Sequence, residues 1–408
     1  MLIMRGRANI PNSFIKEKPY KIRLLAISHD AYRAGSQIIL LNFLRWIRER
    51  EYAEVGILLR AGGALEREFE KVGRVWKLSP EAQRKSFRGW FSSGARQVAP
   101  LNKLADVLTS EYRPDVIYAN TVMNGEALPY LRSLNAPIIT HVHELDMWMR
   151  QSMSREQFAV VDRNTDLFVV VSDAAKRNLI DNWGVRESKI RLIYGFVPNI
   201  VNPERTETDL RWERRHALGI PDDAVVVGGC GTTDWRKGPD LFIQAAKYVL
   251  GRNTAKEIHF VWLGGEDAGA RYEMLRHDVR QAGLDSRVKF LGECEDSRPF
   301  FATIDLLALT SREDPFPLVV LEAAMFAKPA VCFNGAGGIP EFVDRGCGRS
   351  VPYLDVWQFA EAIVELIESP ALRERLGQAA RQRVTRLHSL DVGGMALWKV
   401  LSSIARAS

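Results

Sequence analysis

The residues best suited to chemistry in this sequence lie between positions 304 and 341. Asp314 follows an apolar run and a polar turn, and Glu322 comes eight residues later in an apolar segment that begins after Pro315 and Pro317. A carboxylate accepts two hydrogen bonds side by side, which suits the neighbouring hydroxyl groups of a ribose. The two acids therefore indicate contacts to two parts of one hydroxyl-rich ligand. The alternative is that Asp314 starts a turn and Glu322 is an ordinary exposed helix residue.

The segment Leu318–Met325 is predicted to be a helix, because proline is tolerated in a first turn, where its missing N–H costs nothing. The two prolines leave the N–H groups of Phe316, Leu318 and Val319 as free donors at the start of this helix. Such donors, together with the positive end of the helix dipole, favour an anion such as a diphosphate. The dipole contributes only about 0.3–1 kcal/mol, so the site needs additional positive charge.

That additional charge is found in the loop Gly231–Gly238, which contains Arg236 and Lys237 and follows the predicted strand Ala224–Gly229. A charge-assisted hydrogen bond to phosphate contributes about 1.5–3 kcal/mol, enough to hold a diphosphate together with the helix start. The alternative is that the two residues form an exposed basic pair without a ligand.

Both segments belong to a predicted parallel sheet. Ile304–Thr310 and Ala330–Phe333 are short, continuous apolar runs of the kind found in strands buried on both faces. The first leads into the turn that contains Asp314, and the second leads into a glycine-rich loop at residues 334–341. In open parallel sheets, ligands bind where strands end and helices begin. The pattern therefore places the candidate residues at one edge of a sheet.

The segment from Asp314 to Glu322 resembles the acid-x7-Glu signature of the retaining glycosyltransferases of family 4 (group 1 type), which have the two-domain GT-B fold. The resemblance implies that Asp314 contacts the transferred sugar and that Glu322 binds the ribose of the donor. Lys237-Gly238 is similar to the end of the family's Gly-Arg-x4-Lys-Gly loop, whose Arg and Lys hold the donor diphosphate. Thr232 stands at the position of that Arg, and Arg236 is the inferred replacement.

Further positions resemble the family in the same order along the chain. Gly264-Gly265 matches a turn near the phosphates, Leu291 lies in a strand whose end binds the base through backbone groups, and Gly337–Glu341 matches a Gly-Gly-x-Pro-Glu loop. In the first half, Gly35 matches a glycine loop that faces the acceptor and the donor phosphates, and His143 matches a histidine at the interdomain cleft. The resemblance implies a catalytic set of His143, Lys237 and Asp314, and a donor-binding set of Gly35, Thr232, Arg236, Lys237, Gly264, Gly265, Leu291, Asp314, Phe316, Pro317, Leu318 and Glu322.

The expected fold is α/β, of the GT-B type, with two Rossmann-like domains facing each other across a cleft. The length of 408 residues suits two such domains. The predicted divisions are a loosely ordered leader at 1–20, an acceptor-binding domain at 21–200, a linker at 201–222 with a short helix at Arg211–Gly219, a donor-binding domain at 223–387, and a C-terminal helix at 388–408. This last helix is expected to pack back on the first domain.

Composition limits the class of protein and its partners. Hydrophobic and charged contents of 46% and 26% are ordinary for a soluble globular protein, and no apolar run approaches the length that spans a bilayer. The net charge of +6 favours an acidic partner such as a nucleotide or an anionic membrane. Basic and aromatic residues alternate in Arg84–Phe91, which favours a peripheral membrane contact, with a solvated loop as the alternative. We expect a cytoplasmic protein, peripheral on the inner face of the membrane, with no nucleic-acid partner.

The sequence therefore predicts a retaining glycosyltransferase that moves a sugar from a nucleoside-diphosphate sugar to a glycan or lipid-linked acceptor in cell-surface polysaccharide synthesis. No Asp-x-Asp motif appears in the sequence, and we expect neither a metal ion nor a cofactor. One alternative is a sugar-nucleotide epimerase on the same fold, which would convert its substrate without an acceptor. The other is a non-catalytic nucleotide-sugar-binding protein.

Overall fold

The computed structural model describes residues 21–78, 96–98, 101–200, 206–252, 255–266 and 268–407. The predicted leader at 1–20 and the basic aromatic segment Arg84–Phe91 lie outside these ranges. The described chain contains two separate parallel sheets, each interleaved with helices. The predicted fold class, two Rossmann-like α/β domains in a GT-B arrangement, is confirmed.

The first domain is built on an eight-stranded sheet in the order β4-β3-β2-β1-β5-β6-β7-β8. Successive residues of its central strand β1 belong to two different apolar clusters, Leu24 and Ala26 to one and Leu25 and Ile27 to the other. Both faces of the sheet are therefore covered, which explains the continuous apolar run in this strand. The strands are β1 Ile22–Ser28, β2 Ala53–Leu59, β3 Arg74–Leu78, β4 Arg96–Val98, β5 Val116–Asn120, β6 Ile138–Val142, β7 Leu167–Val170 and β8 Ile190–Leu192.

The second domain is built on a six-stranded sheet in the order β11-β10-β9-β12-β13-β14. Chain order reverses between β9 and β12, so this sheet has a switch point of the kind at which ligands bind. The strands are β9 Val225–Cys230, β10 Ile258–Leu263, β11 Val288–Phe290, β12 Leu306–Leu309, β13 Ala330–Phe333 and β14 Gly348–Val351.

The helices alternate with the strands along most of the chain. Those of the first domain are α1 Gly35–Glu49, α2 Glu66–Glu70, α3 Leu104–Glu111, α4 Leu128–Leu131, α5 Asp146–Ser152, α6 Arg155–Asn164 and α7 Asp173–Arg177, which continues as a wider turn over Asn178–Asn182. The remaining helices are α8 Glu207–Ala217, α9 Pro239–Leu250, α10 Ala270–Gln281, α11 Arg298–Thr303, α12 Leu318–Met325, α13 Pro340–Val343, α14 Val356–Glu368, α15 Pro370–Leu387 and α16 Leu390–Ala407. Within the described ranges, none of these helices is long and apolar enough to cross a bilayer.

Helix α16 crosses back to the first domain, as predicted. Its residues Leu397 and Leu401 are buried in the apolar cluster that contains α1 and β1. The Trp398 ring stacks on Tyr52 with centroids 5.7 Å apart. At the start of the helix, Asp391 accepts a 2.8 Å hydrogen bond from the Trp46 indole. The end of the chain is therefore part of the first domain's core.

The helix predicted at Arg211–Gly219 begins four residues earlier than expected, at Glu207. Thr206 and Asp209 form a reciprocal capping box, in which each side chain accepts a hydrogen bond from the backbone of the other. This cap sets the helix start, and apolar periodicity does not reveal it. The helix packs against α11, so the described part of the predicted linker region belongs structurally to the second domain.

A buried arginine, Arg215, anchors helix α8 to the second domain. Arg215 has no exposed surface, and its guanidinium donates to the carbonyls of Thr303 and Ala224 at 3.0 and 2.7 Å and to Asp305 at 2.9 Å. Asp305 keeps Arg211 as a partner, but the buried carbonyls of Thr303 and Ala224 lose a charged donor, so we expect Arg215→Met to lower the free energy of unfolding by about 1–3 kcal/mol. Urea unfolding followed by circular dichroism measures this loss.

The matched control is Arg211→Met, since Arg211 also pairs with Asp305, at 3.0 Å, but has 29% of its side chain exposed. An exposed ion pair contributes at most about 1 kcal/mol. Equal unfolding midpoints for the two variants would contradict the structural role given to Arg215.

Candidate active site

The predicted donor residues lie at the carboxyl ends of strands in the second sheet. Lys237 follows β9, Gly264 and Gly265 follow β10, Leu291 follows β11 and Asp314 follows β12. These four strands are neighbours in the sheet. Their loops therefore form one surface at the edge where ligands of open parallel sheets bind.

An ion pair between Lys237 and Asp314 lies on this surface. Lys237 Nζ contacts Asp314 Oδ2, and Ser311 Oγ donates a 3.3 Å hydrogen bond to the same oxygen. The lysine loop is fixed from both sides, because the Lys237 amide donates to Asp234 Oδ1 at 3.1 Å and its carbonyl accepts from the Thr310 hydroxyl at 3.2 Å. The pair thus places a fixed cation, suited to phosphate oxygens, beside a carboxylate suited to sugar hydroxyls.

Thr232 and Arg236 have different environments in the same loop. The Thr232 hydroxyl donates a 2.6 Å hydrogen bond to Asp234, so this side chain stabilises the loop itself. Arg236 Nη1 donates a 3.2 Å hydrogen bond to the carbonyl of Glu313, the residue that precedes Asp314. The guanidinium inferred to replace the missing family arginine is therefore anchored close to the ion pair, and its contact with a diphosphate stays a prediction.

Gly264 and Gly265 form a turn for which side chains are too large. Their φ angles are +100° and +81°, and a Cβ atom on Gly264 would lie 2.7 Å from the carbonyl oxygen of Gly231. The adjoining strand end is also held by backbone contact, since the amide of Leu291 donates to the carbonyl of Trp262 at 2.8 Å. The Gly264 amide also donates to the carbonyl of Gly292 at 2.8 Å, so the loops after β9, β10 and β11 pack closely at their backbones.

Helix α12 begins after Pro317, which is the N-cap in an extended conformation. The amides of Leu318 and Val319 have no carbonyl four residues earlier in the helix, whereas the Val320 amide donates to the Pro317 carbonyl at 3.2 Å. Phe316 differs, because its ring is buried and lies 5.5 Å from each of the Tyr194 and His388 rings. Any contact of Phe316 with a donor is thus limited to its backbone, while its side chain joins the two domains.

Glu322 is a partly buried carboxyl one turn into α12, and burial raises its pKa to about 7. Burial also raises the pKa of the Cys230 and Cys294 thiols, and the charge of Glu322 adds to both increases. Arg33 acts on Cys294 in the opposite direction. In the first domain, a Cβ atom added to Gly35 would meet nothing within 4 Å, so the space beside this glycine is open.

His143 belongs to a polar cluster in the first domain whose other members the sequence analysis did not identify. His143 Nε2 lies 3.0 Å from Asn120 Oδ1, and Asn120 Nδ2 donates to the carbonyl of Ser36 at 2.9 Å, which fixes the amide orientation. His143 therefore donates from Nε2 and has Nδ1 as an acceptor. Burial, followed by the charge of His29, lowers the pKa of His143 to about 3, so the imidazole is neutral near pH 7.

The remaining members of this cluster follow the first strand. His29 Nε2 lies 3.0 Å from Asp30 Oδ2, and Gln37 Nε2 also donates to Asp30. Asn120 is the last residue of β5, and His29 comes directly after β1. The rule that ligands bind at strand carboxyl ends could have identified both residues from the sequence. In the part of the chain that the structure describes, no three His, Cys, Asp or Glu side chains form a group able to hold a metal ion.

Two carboxylates of the second domain bind helix starts in the first; we call Glu313 and Glu341 the bridging carboxylates. Glu313 accepts hydrogen bonds of 2.9 and 3.2 Å from the amides of residues 147 and 148 in the first turn of α5. Glu341 accepts two of 3.0 Å from the amides of residues 173 and 174 at the start of α7. Negative charge at a helix start is favourable, so these contacts hold the two domains together. The sequence shows no signal that pairs either acid with its helix.

Two family models match the chain, one in each domain. The model described as Glycosyltransferase Family 4 matches residues 33–199, and the model described as Glycosyl transferases group 1 matches residues 211–383. The second match contains the Lys237–Asp314 pair and Glu322, and the first contains the polar cluster residues from Gln37 to His143. The two matches together span most of the chain.

The chain is also similar to individual proteins that are named glycosyltransferases. The chain is 28% identical over 313 residues to a D-inositol 3-phosphate glycosyltransferase of Corynebacterium jeikeium, covering 72% of this chain and 73% of that protein. It is 26% identical over 241 residues to the lipopolysaccharide core biosynthesis glycosyltransferase LpsE of Rhizobium meliloti, covering 59% of this chain and 65% of LpsE. The solved structure of Anabaena HepE in complex with UDP-glucose has the same fold, with a TM-score of 0.76 and 22% identity over 94% of this chain and all of HepE. The chain thus belongs to the group 1, family 4 glycosyltransferases, and it is a glycosyltransferase with the GT-B fold.

Proposed function

We propose that this glycosyltransferase retains the anomeric configuration and moves a sugar from a nucleoside-diphosphate sugar to a glycan or lipid-linked acceptor in cell-surface polysaccharide synthesis. The observation that carries the proposal is the Lys237–Asp314 ion pair at the carboxyl edge of the second sheet, with Glu322 in the helix that follows. HepE has been solved with UDP-glucose, and LpsE takes part in lipopolysaccharide core biosynthesis, which supports this donor class and this kind of acceptor.

We assign the positive charge of the site to stabilising the diphosphate leaving group. As the sugar departs, negative charge develops on the diphosphate, and preorganised donors stabilise it. Lys237, the amides at the start of α12 and the nearby Arg236 are the groups we assign to this role. Glu322 would accept hydrogen bonds from the ribose hydroxyls, and the backbone at Gly264, Gly265 and Leu291 would contact the phosphates and the base. With these groups in place, the proposed reaction requires neither a metal ion nor a cofactor.

The protonation state of His143 limits its role toward the acceptor. An imidazole with a pKa of about 3 is too weak a base to take a proton near pH 7, but its Nδ1 accepts a hydrogen bond from a hydroxyl group. We therefore assign His143 to orienting a sugar hydroxyl and Asp314 to the hydroxyls of the transferred sugar. The acceptor proton then passes to an oxygen of the leaving diphosphate on the same sugar face, which agrees with retention.

The proposed location is the cytoplasm. All four cysteines are free thiols in the described structure, and Cys332 and Cys347 are buried. Free thiols are typical of a reducing compartment. The predicted membrane contact through Arg84–Phe91 lies outside the described residues and stays a prediction.

Thermal shift with UDP, GDP, ADP, CDP and their sugars tests the proposal. Ligand at a hundredfold excess over Kd adds about 2.7 kcal/mol to the free energy of unfolding. We expect one nucleotide family to stabilise the wild type and the control Lys247→Ala, an exposed lysine of α9, but not Lys237→Ala. Incubation with that donor and a glycan acceptor, followed by NMR of the product, then gives the anomeric configuration.

No stabilisation by any nucleotide would overturn the proposal. Conversion of the donor to a second nucleotide sugar in the absence of an acceptor would support the epimerase instead. A product with inverted anomeric configuration would overturn the proposed retention but not the proposed donor and acceptor classes.

A further inference from the structure

A second groove lies between the domains, separate from the donor site. It has a volume of about 920 Å³, and its walls come from α5 and α7 of the first domain and from loops of the second that contain Trp235, Arg312 and Tyr353. Both bridging carboxylates line it. Among its described lining residues are none of the Lys237, Asp314 and Glu322 side chains assigned to the donor. Glu313 lines this groove and the adjacent Asp314 pairs with Lys237, so the groove and the donor site adjoin at this point of the chain.

Two aromatic rings in this groove are exposed and yet held in place. Trp235 is 55% exposed and Tyr353 is 46% exposed. The Arg312 guanidinium lies 5.0 Å from the Trp235 ring centroid, and it is fixed by hydrogen bonds of 2.9 and 2.6 Å to Asp240. The Tyr353 hydroxyl donates to the carbonyl of Arg312 at 3.1 Å. One arginine therefore positions both rings while leaving them open to a ligand.

Fixed aromatic faces beside polar groups are suited to sugars. A sugar ring has an apolar C–H face that stacks on an aromatic ring and a rim of hydroxyl groups that hydrogen-bond to polar side chains. The lining supplies such partners in Asn182 and Asn334 and in the Arg177 and Asp181 side chains of the α7 region. A groove of this volume, with aromatic faces beside polar side chains, falls within the size range of ligand-binding sites.

The charge of the groove indicates a neutral ligand. Its lining contains three arginines and four acids, so it has no excess of positive charge. Several of these charges are already paired: Arg312 with Asp240, Arg150 with Asp146, and each bridging carboxylate with a helix start. A phosphate or an anionic lipid headgroup would need a net positive charge here, which three arginines against four acids do not supply.

We propose that this groove binds a neutral oligosaccharide, at least two sugar units of the glycan that the enzyme extends, by stacking on Trp235 and Tyr353. This inference rests on the proposed function, because it takes the bound glycan to be the acceptor or product chain. Both domains line the groove, so a glycan that binds there stabilises the arrangement in which the bridging carboxylates meet their helices. Glycan binding and domain contact are thus coupled.

Affinity electrophoresis tests the groove directly. Native gels that contain dextran, hydroxyethylcellulose or glycogen are run with the wild type, Trp235→Ala, Tyr353→Ala and the control Trp212→Ala, whose indole is 56% exposed on α8. We expect at least one of these neutral polysaccharides to retard the wild type and the control. Each groove variant should bind it roughly 3- to 10-fold more weakly, and the double variant should lose the retardation.

Thermal shift with nucleotides on the same proteins separates this proposal from the proposed function. Nucleotide stabilisation that persists in the groove variants while glycan retardation is lost supports the groove. If nucleotides stabilise none of the proteins, the wild type included, the proposed function is overturned. The bound glycan can then no longer be taken as the acceptor or product of a sugar transfer. The groove proposal itself is overturned if none of the three polysaccharides retards the wild type, or if Trp235→Ala is retarded as strongly as the wild type.

Discussion

Replacing Lys237 by methionine is expected to lower kcat/KM for the donor by about 10²- to 10³-fold, the loss typical of removing one preorganised group that stabilises developing charge. Methionine keeps most of the length and apolar packing of the lysine stem and removes the charge. The substitution also leaves the buried Asp314 carboxylate without its cation, which adds to the loss. Steady-state kinetics with the donor varied, with kcat and KM determined separately, measures the effect.

Two further variants serve as controls for this experiment. Lys247→Met removes an exposed lysine from the same domain and should leave kcat/KM unchanged. Lys237→Arg keeps the charge and should retain more activity than the methionine variant. A loss of less than threefold in Lys237→Met would show that the ion pair has no part in the transition state.

Glu322→Gln is expected to have opposite effects on stability and on donor binding, and its stability effect should depend on pH. Burial raises the pKa of Glu322 from 4.5 to about 7. The folded state thus holds this proton more tightly than the unfolded chain, and the free energy of unfolding falls as the pH rises from about 4.5 through 7. Glutamine removes that ionisation, so the variant should have the higher Tm at pH 8 and a similar Tm at pH 5.

Donor binding should show the reverse trend. A carboxylate binds a diol better than a carboxylic acid does, so the wild type should bind the donor more tightly as the pH rises through about 7. The glutamine variant should bind about 10- to 100-fold more weakly at pH 8, since a charge-assisted hydrogen bond contributes about 1.5–3 kcal/mol. Calorimetric titrations at pH 6, 7 and 8 test this. Equal affinities of the two proteins at pH 8 would exclude Glu322 from the donor site.

The β12-α12-β13 unit shows how far the sequence specifies this structure. The helix Leu318–Met325 and the strand Ala330–Phe333 have the predicted bounds, because proline and apolar run length are local signals. The strand predicted at Ile304–Thr310 is shorter, at Leu306–Leu309. Local chemistry therefore specifies the elements that hold the candidate donor residues.

Contacts between distant residues were not predictable in the same way. Glu341 meets the start of α7 across 168 positions of sequence, and Asn120 meets His143 across 23. Each contact depends on strand order and on side-chain orientation, which neither periodicity nor composition reveals. Arg236 illustrates this limit, because the sequence supplies the charge but only the structure shows its anchor on Glu313.

The position of the bridging carboxylate Glu313 has a consequence for the reaction cycle. Glu313 bonds to the start of α5, and the next residue, Asp314, pairs with Lys237. Any separation of the domains withdraws Glu313 from α5 and moves the peptide that carries Asp314. Lys237 and Asp314 both belong to the second domain, so their pair persists when the domains separate, and the contact that reports closure is the one between Glu313 and α5. A ligand enclosed between the two domains can leave only after this contact breaks, so the start of α5 is the place where domain opening is expected to be seen first.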